Sequence, residues 1–138
     1  MNVVYGEIID VASETDLSLV RVLAHGQTFH AIVIDTPATS PYLKKGHPVQ
    51  LLFKETEVII ARQGPLQISV RNQVPCRIER ITAGKLLCEL ALGWSGIPLR
   101  SIITRTACEA LDLKVDDPVI ALIKTNEVSL SPHLAPSP

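Results

Sequence analysis

The residues best suited to chemistry stand four in a row, Ser69-Val70-Arg71-Asn72. A hydroxyl two residues from a guanidinium is half of a site for a tetrahedral oxyanion. The arginine brings charge and a planar fork of N–H donors, and the serine adds a short neutral donor. If this segment is a strand, Ser69 and Arg71 project to one side and Asn72 to the other. A doubly charged anion needs more donors than that pair. Lys124-Thr125, at the end of a later strand, offers an ammonium and a backbone N–H. Thr104 stands where a helix would begin, and the first N–H groups of a helix are unpaired and carry positive character. Each charge-assisted hydrogen bond contributes roughly 1.5–3 kcal/mol, whereas micromolar binding needs about 8 kcal/mol. Arg71 and Lys124 therefore fall short alone, and main-chain donors have to complete the set. The competing reading makes Ser-x-Arg-Asn a solvated strand start and Lys124 a surface lysine.

The elements that would position these residues come from an internal duplication. Shifted by seventy residues, the chain matches itself without a gap: Asn2 falls on Asn72, Ile8 on Ile78, Gly26 on Gly96, Thr36 on Thr106 and Lys54 on Lys124. Leu43-Lys44 falls on Leu113-Lys114, Pro48-Val49 on Pro118-Val119 and Glu57-Val58 on Glu127-Val128. Only the second copy carries Ser-x-Arg-Asn; Met1 occupies the arginine position of the first. Shared positions serve folding, and the unshared ones are free to serve a ligand. A unit of about seventy residues buries only about 60% of its unfolded-chain surface, so the copies are expected to share a core, exchange elements or oligomerise.

Most segments read as strands, short and rich in Val, Ile and Leu between turn residues. In the first copy these are 3–11, 17–24, 28–34, 48–54 and 57–62. In the second they are 74–81, 85–92, 97–103, 118–124 and 127–130. One helix is predicted, over 104–113. Thr106-Ala107-Cys108-Glu109 fits a capping box, with Thr104 a rival cap two residues earlier. Pro37 and Pro41 reduce the equivalent place in the first copy to a turn. The pattern predicts an all-β protein of two tandem five-stranded antiparallel barrels of the oligonucleotide/oligosaccharide-binding kind, each with at most one short helix. The first spans 1–63 and the second 68–131. The proline-rich tail 132–138 is expected to be disordered.

Composition excludes several function classes. A formal net charge of −1 without a basic patch argues against a polyanion partner. Aromatic residues make up 4% of the chain, too few for a base-stacking surface. Cys76, Cys88 and Cys108 form no C-x-x-C and lie apart from His25, His30, His47 and His133, so no bare metal cation is expected. The thiols read as reduced and buried, in keeping with a cytoplasmic protein. No apolar run approaches the ~20 residues of a membrane span, and no signal peptide is visible. An enzyme is not expected, since no nucleophile–base pair or framed carboxylate pair occurs. Glu7, Glu14 and Asp16 read as solvated strand and turn acids.

Four segments together resemble one family. They are Ile68-Ser69-Val70-Arg71-Asn72-Gln73-Val74-Pro75, Ile102-Ile103-Thr104-Arg105-Thr106-Ala107, Leu113 to Val119, and Ala121-Leu122-Ile123-Lys124-Thr125-Asn126-Glu127-Val128. They are similar to the Mop/TOBE domain: S-x-R-N, an I-T-x-x-[SA] helix start, L-x-x-G-D-x-V and a closing A-x-[IL]-K-[AST]-x-x-V. The first copy is similar through Phe53-Lys54-Glu55-Thr56-Glu57-Val58. The resemblance implies small antiparallel barrels that bind molybdate or tungstate, with sites between barrels and often at subunit interfaces. Carried over, the ligand contacts are Ser69, Arg71, Thr104, Lys124 and Thr125, and Asn72 belongs to the motif while ordering the strand start. Ala107 departs from the pattern where a serine is common, and Cys76 where glycine is common.

The expected function is thus cytoplasmic binding of molybdate or tungstate for storage, homeostasis or regulation of molybdate transport. The ligand is the oxyanion and no further cofactor is implied. The expected assembly is a homo-oligomer, a dimer, trimer or hexamer of barrels, with no nucleic acid bound by this chain alone and no membrane insertion. The arrangement is similar to the C-terminal domain of molybdate-transporter ATPase subunits, to molybdate-responsive regulators and to two-barrel storage proteins. Having no Walker motif and no helix-turn-helix, the chain is expected to be a stand-alone protein or an excised domain. The alternative is a ligand-free barrel pair, structural or regulatory, that mediates oligomerisation.

Overall fold

The computed structural model describes residues 1–133. Ten strands form two five-stranded antiparallel sheets, each curled toward a barrel. The chain divides into two compact units. One takes Met1–Phe53 together with the segment that begins at Lys124, and the other is Lys54–Ile123.

The first unit contains β1 (Asn2–Glu14), β2 (Leu17–Ala24), β3 (Gln27–Val33) and β4 (Pro48–Phe53). Its fifth strand comes from the far end of the chain and completes the order β10-β4-β1-β2-β3. That strand, β10 (Ser129–Pro132), pairs Leu130 with Leu51 and also approaches β3, which closes the sheet. The second unit contains β5 (Ile59–Ala61), β6 (Asn72–Ala83), β7 (Leu87–Trp94), β8 (Ile97–Thr104), α1 (Arg105–Ala110) and β9 (Pro118–Ile123). Here the order is β5-β9-β6-β7-β8, with β5 also near β8.

The compact units thus differ from the sequence repeats 1–63 and 68–131. Each repeat gives its last short strand to the other sheet. Both strands follow the same Glu-Val pair, so local sequence does not say whether β4 or β9 receives them. Pro132 and His133, expected in a disordered tail, are ordered: Pro132 pairs with Val49 and the His133 N–H donates to Pro48 O at 3.1 Å. The rest of that tail, 134–138, lies outside the described residues.

Alternation fixes the faces. In β2 the odd positions are exposed, while Ser18, Val20, Val22 and Ala24 are buried. Phe29, Phe53, Ile8 and Leu51 fill the first core, and Ile78, Leu90, Leu92, Leu99 and Ile123 the second. Each such side chain contributes about 1.5–3 kcal/mol by leaving water. The long first strand of each unit serves two neighbours. β1 pairs with β4 through Asn2–Glu7 and with β2 through Glu7–Glu14, with a bulge between Ile8 and Asp10. β6 repeats this with a bulge between Ile78 and Arg80, the extra residue bending the strand. The hairpin turns His25-Gly26 and Ser95-Gly96 have positive φ at both residues, as type I′ turns require.

Three local expectations are corrected. The helix is Arg105–Ala110, not 104–113, and Thr104 rather than Thr106 is its cap. Thr104 ends β8 with extended backbone (φ −70°, ψ 150°) and accepts from the Ala107 N–H at 3.1 Å. Thr106 is already inside the first turn, and Glu109 pairs with Arg105 at 3.0 Å instead of reaching back. The helix stops in a Schellman arrangement: Asp112 takes φ 48°, its N–H donates to Glu109 O, and the Leu113 N–H donates to Cys108 O. Finally, Glu57 and Glu127 do not open strands. They close single 3-10 turns, Glu55–Glu57 and Thr125–Glu127.

Candidate oxyanion site

β6 begins at Asn72, so Ser69 and Arg71 precede the strand instead of lying in it. Strand alternation therefore orients neither of them. A side chain missed from the sequence does part of that work. The Leu66 N–H donates to Gln73 Oε1 at 3.0 Å, while Gln73 Nε2 donates to Leu66 O and Val70 O, both at 3.1 Å. These bonds fold the 66–70 segment back onto the start of β6. The first repeat has Val3 at the equivalent position. A polar side chain beside the S-x-R-N motif, replaced by valine in the other copy, was the available signal.

Ser69 and Arg71 are both exposed, and neither has a hydrogen-bond or ion-pair partner among the described residues. By contrast, Arg62 bonds Asp117 at 3.0 Å, Arg100 bonds Glu89 at 2.6 Å and Arg105 bonds Glu109. Arg77 is also engaged, donating to Asp116 O at 2.7 Å. Asn72 is fully buried, as Asn2 nearly is, and it pairs with Ile123 across the ladder. Its presence in both repeats fits a role in ordering the strand start.

Lys124 follows Ile123 in the chain and is exposed, with extended backbone at the head of the 3-10 turn; its carbonyl accepts from the Glu127 N–H at 2.9 Å. Thr125 is half-buried in that turn. Lys124 and Thr125 fall in the first compact unit, whereas Ser69, Arg71, Asn72 and Thr104 fall in the second. The repeat equivalent of Lys124, Lys54, falls in the second unit.

Thr104 is not on the Asn72 rung. Leu87 pairs with Thr104 and Cys88 with Ala83, so along the β6-β7-β8 ladder Thr104 stands beside the far end of β6. There it borders a groove of about 320 Å³ with Thr56, Ile60, Ala107 and Leu111. Its hydroxyl oxygen is committed to the Ala107 N–H and lies 3.2 Å from Thr106 Oγ1. Cys76, placed where glycine is common, is buried on β6 and pairs with Val119 of β9. Arg77 pairs with Gly93 where the first unit pairs Glu7 with Leu23 and keeps Gly6.

Residues 68–130 match the TOBE domain model. The chain is 34% identical to the molybdenum import ATP-binding protein ModC of Rhizobium etli over 87 residues, 62% of this chain and 24% of that protein. It is 29% identical to ModC of Mesorhizobium japonicum over 111 residues, 76% of this chain and 30% of that protein. The chain thus spans about a quarter to a third of the curated relatives it matches. Among solved structures it is similar to the cytoplasmic molybdate-binding protein ModG with molybdate bound. That similarity has a TM-score of 0.89 at 25% identity and covers 96% of each chain. The S-x-R-N segment, the β8–α1 junction and the Lys124 turn all fall inside residues 68–130, the region that is similar to the TOBE domain.

Proposed function

We propose that this chain binds molybdate or tungstate in the cytoplasm, for storage, homeostasis or regulation of molybdate transport. The observation that carries the reading is Arg71: an exposed guanidinium with no partner among the described residues, two residues from the free Ser69 hydroxyl, on a segment held by Gln73. An arginine unpaired in the free protein keeps its donors for a ligand, and its planar fork suits an oxyanion better than a lysine would. The similarity to molybdate-bound ModG along nearly the whole chain supports the choice of anion. The family resemblance implies Lys124, Thr125 and Thr104 as further contacts and Asn72 as the residue that keeps the strand start in place; Thr104 stands at the far end of β6 from Asn72, so it joins Arg71 only from another copy of the chain. The role is binding rather than catalysis. Calorimetry with molybdate, tungstate and sulfate tests this: heat is expected with the first two and little with sulfate, and no heat with any of them contradicts it.

A second observation favours assembly into a homo-oligomer. In the first unit Leu19 pairs with Ile32 on the outer sheet face, next to Leu17 and Ile34, and Ile34 is 84% exposed. The equivalent positions of the second repeat include Glu89 and Thr104. An apolar outer face on one unit fits burial against another copy. Sedimentation mass with and without molybdate separates a ligand-dependent oligomer from a permanent one, and a monomer under both conditions removes this reading.

A further inference from the structure

Two of the three cysteines are neighbours. Cys88 lies on β7 and Cys108 on α1, both in the second unit, and α1 packs against β7. Both are buried free thiols, 2% and 8% exposed; Cys108 is the buried residue of α1, and the helix starts beside β7, where Leu87 pairs with Thr104 and the Arg105 N–H donates to Leu86 O at 2.8 Å. The repeat shows what this position does. In the first unit Cys88 is replaced by Ser18, whose hydroxyl donates to Asp35 O at 2.6 Å and ties β2 to the segment leaving β3. In the second unit a buried thiol takes the place of that hydroxyl and a second buried thiol sits on the helix packed against its strand, and two thiols can become covalent where a serine cannot.

We propose that Cys88 and Cys108 form a redox-sensitive staple, closing to a disulfide when a peroxide acts on the protein. The thiolate of Cys108, the more exposed of the two, attacks the peroxide oxygen. The O–O bond breaks, a sulfenic acid forms and one water leaves. Cys88 sulfur then displaces the hydroxyl from that sulfur, the S–S bond forms and a second water leaves. Two thiol hydrogens are lost and one peroxide is reduced. The staple fixes α1 onto β7, and the helix lies between Thr104 and the Schellman turn at Asp112.

Burial and the neighbouring thiol raise the Cys108 thiol above its ordinary 9.0, so little thiolate is present at neutral pH and closure is slow. Cys76 stands apart on β6, donates to Val74 O at 3.3 Å and is pushed up to about 12 by burial, so it stays reduced.

The full chain, treated with hydrogen peroxide under native conditions, tests this. Whole-protein mass should fall by about 2 Da, the two hydrogens removed. Peptide mapping should place the bridge between Cys88 and Cys108 with Cys76 still free. The rate should rise roughly tenfold between pH 7 and pH 8, as the thiolate fraction does. Exchange of the α1 amides should slow on oxidation and recover with a thiol reductant. Cys76→Ala should keep the mass loss, and Cys88→Ala should abolish it. Oxygen adducts on single cysteines, a bridge to Cys76, a bridge between chains, or unchanged α1 exchange in the bridged form would each overturn the proposal.

Discussion

Gln73 holds Leu66 by both of its main-chain polar groups, accepting from its N–H at 3.0 Å and donating to its carbonyl at 3.1 Å. A third bond, to Val70 O, brackets the segment from the other side of Ser69. Three net hydrogen bonds of about 0.5–1.5 kcal/mol each make Gln73→Leu destabilising by about 2 kcal/mol in urea unfolding. The same change should weaken oxyanion binding, because Ser69 and Arg71 lose the segment that orients them. Gln73→Glu keeps the acceptor and loses the two donated bonds, so its effect should be intermediate.

The strand content and the repeat were legible because period-two burial is written directly in segments such as Leu17–Ala24. The exchange of β5 and β10 was not. Ile59 and Ser129 follow the same Glu-Val pair, and an edge strand of three or four residues carries too little pattern to choose between two equivalent sheets. Of the proposed site, Ser69 and Arg71 stand out by residue type, whereas Gln73 does not, since an amide that bonds its own loop looks like any surface glutamine. The placing of Lys124 with the first unit follows from the exchange and was hidden for the same reason. Thr104 and Thr106 both suit a cap by type, and only the end of β8 decided between them.

Thr104 caps α1 through the Ala107 N–H. Thr104→Ala should cost about 1 kcal/mol, as loss of a side-chain cap generally does. Thr106→Ala should stay within about 0.5 kcal/mol, the range of ordinary surface changes. Chemical denaturation of the two variants side by side measures the difference. Equal losses, or the larger loss at Thr106, would restore the capping box.

Gly6 and Gly93 stand near corresponding strand pairs, but their surroundings differ. A Cβ at Gly6 would lie 2.7 Å from the backbone oxygen of Leu23, which cannot swing away. A Cβ at Gly93 would meet the Glu79 carboxylate at 2.9 Å, the free end of a flexible side chain. Gly6→Ala should therefore cost about 1–3 kcal/mol, as overpacking does, and Gly93→Ala clearly less. Urea midpoints of the two variants test the order.

Asp117 accepts from the Lys114 N–H at 2.9 Å and from Arg62 at 3.0 Å. These two bonds, the backbone one first, hold its carboxyl below the ordinary 3.8. A depressed folded-state pKa gives stability that is present above the unfolded value and is lost as pH falls through the folded one. Wild type should thus exceed Asp117→Asn in melting temperature near neutral pH, with the gap shrinking below about pH 4, the range of a free carboxylate. A gap constant across that range would show that the charged form of Asp117 makes no difference.

The most direct measurement is equilibrium dialysis of the wild-type chain and Arg71→Ala against molybdate, with bound molybdenum counted by elemental analysis. Loss of the charged hydrogen bonds, roughly 1.5–3 kcal/mol each, predicts saturable binding by wild type and affinity at least tenfold weaker in a variant that remains folded. Equal binding by the two proteins, or none by wild type, would contradict the assignment of Arg71 as the anchor of the anion.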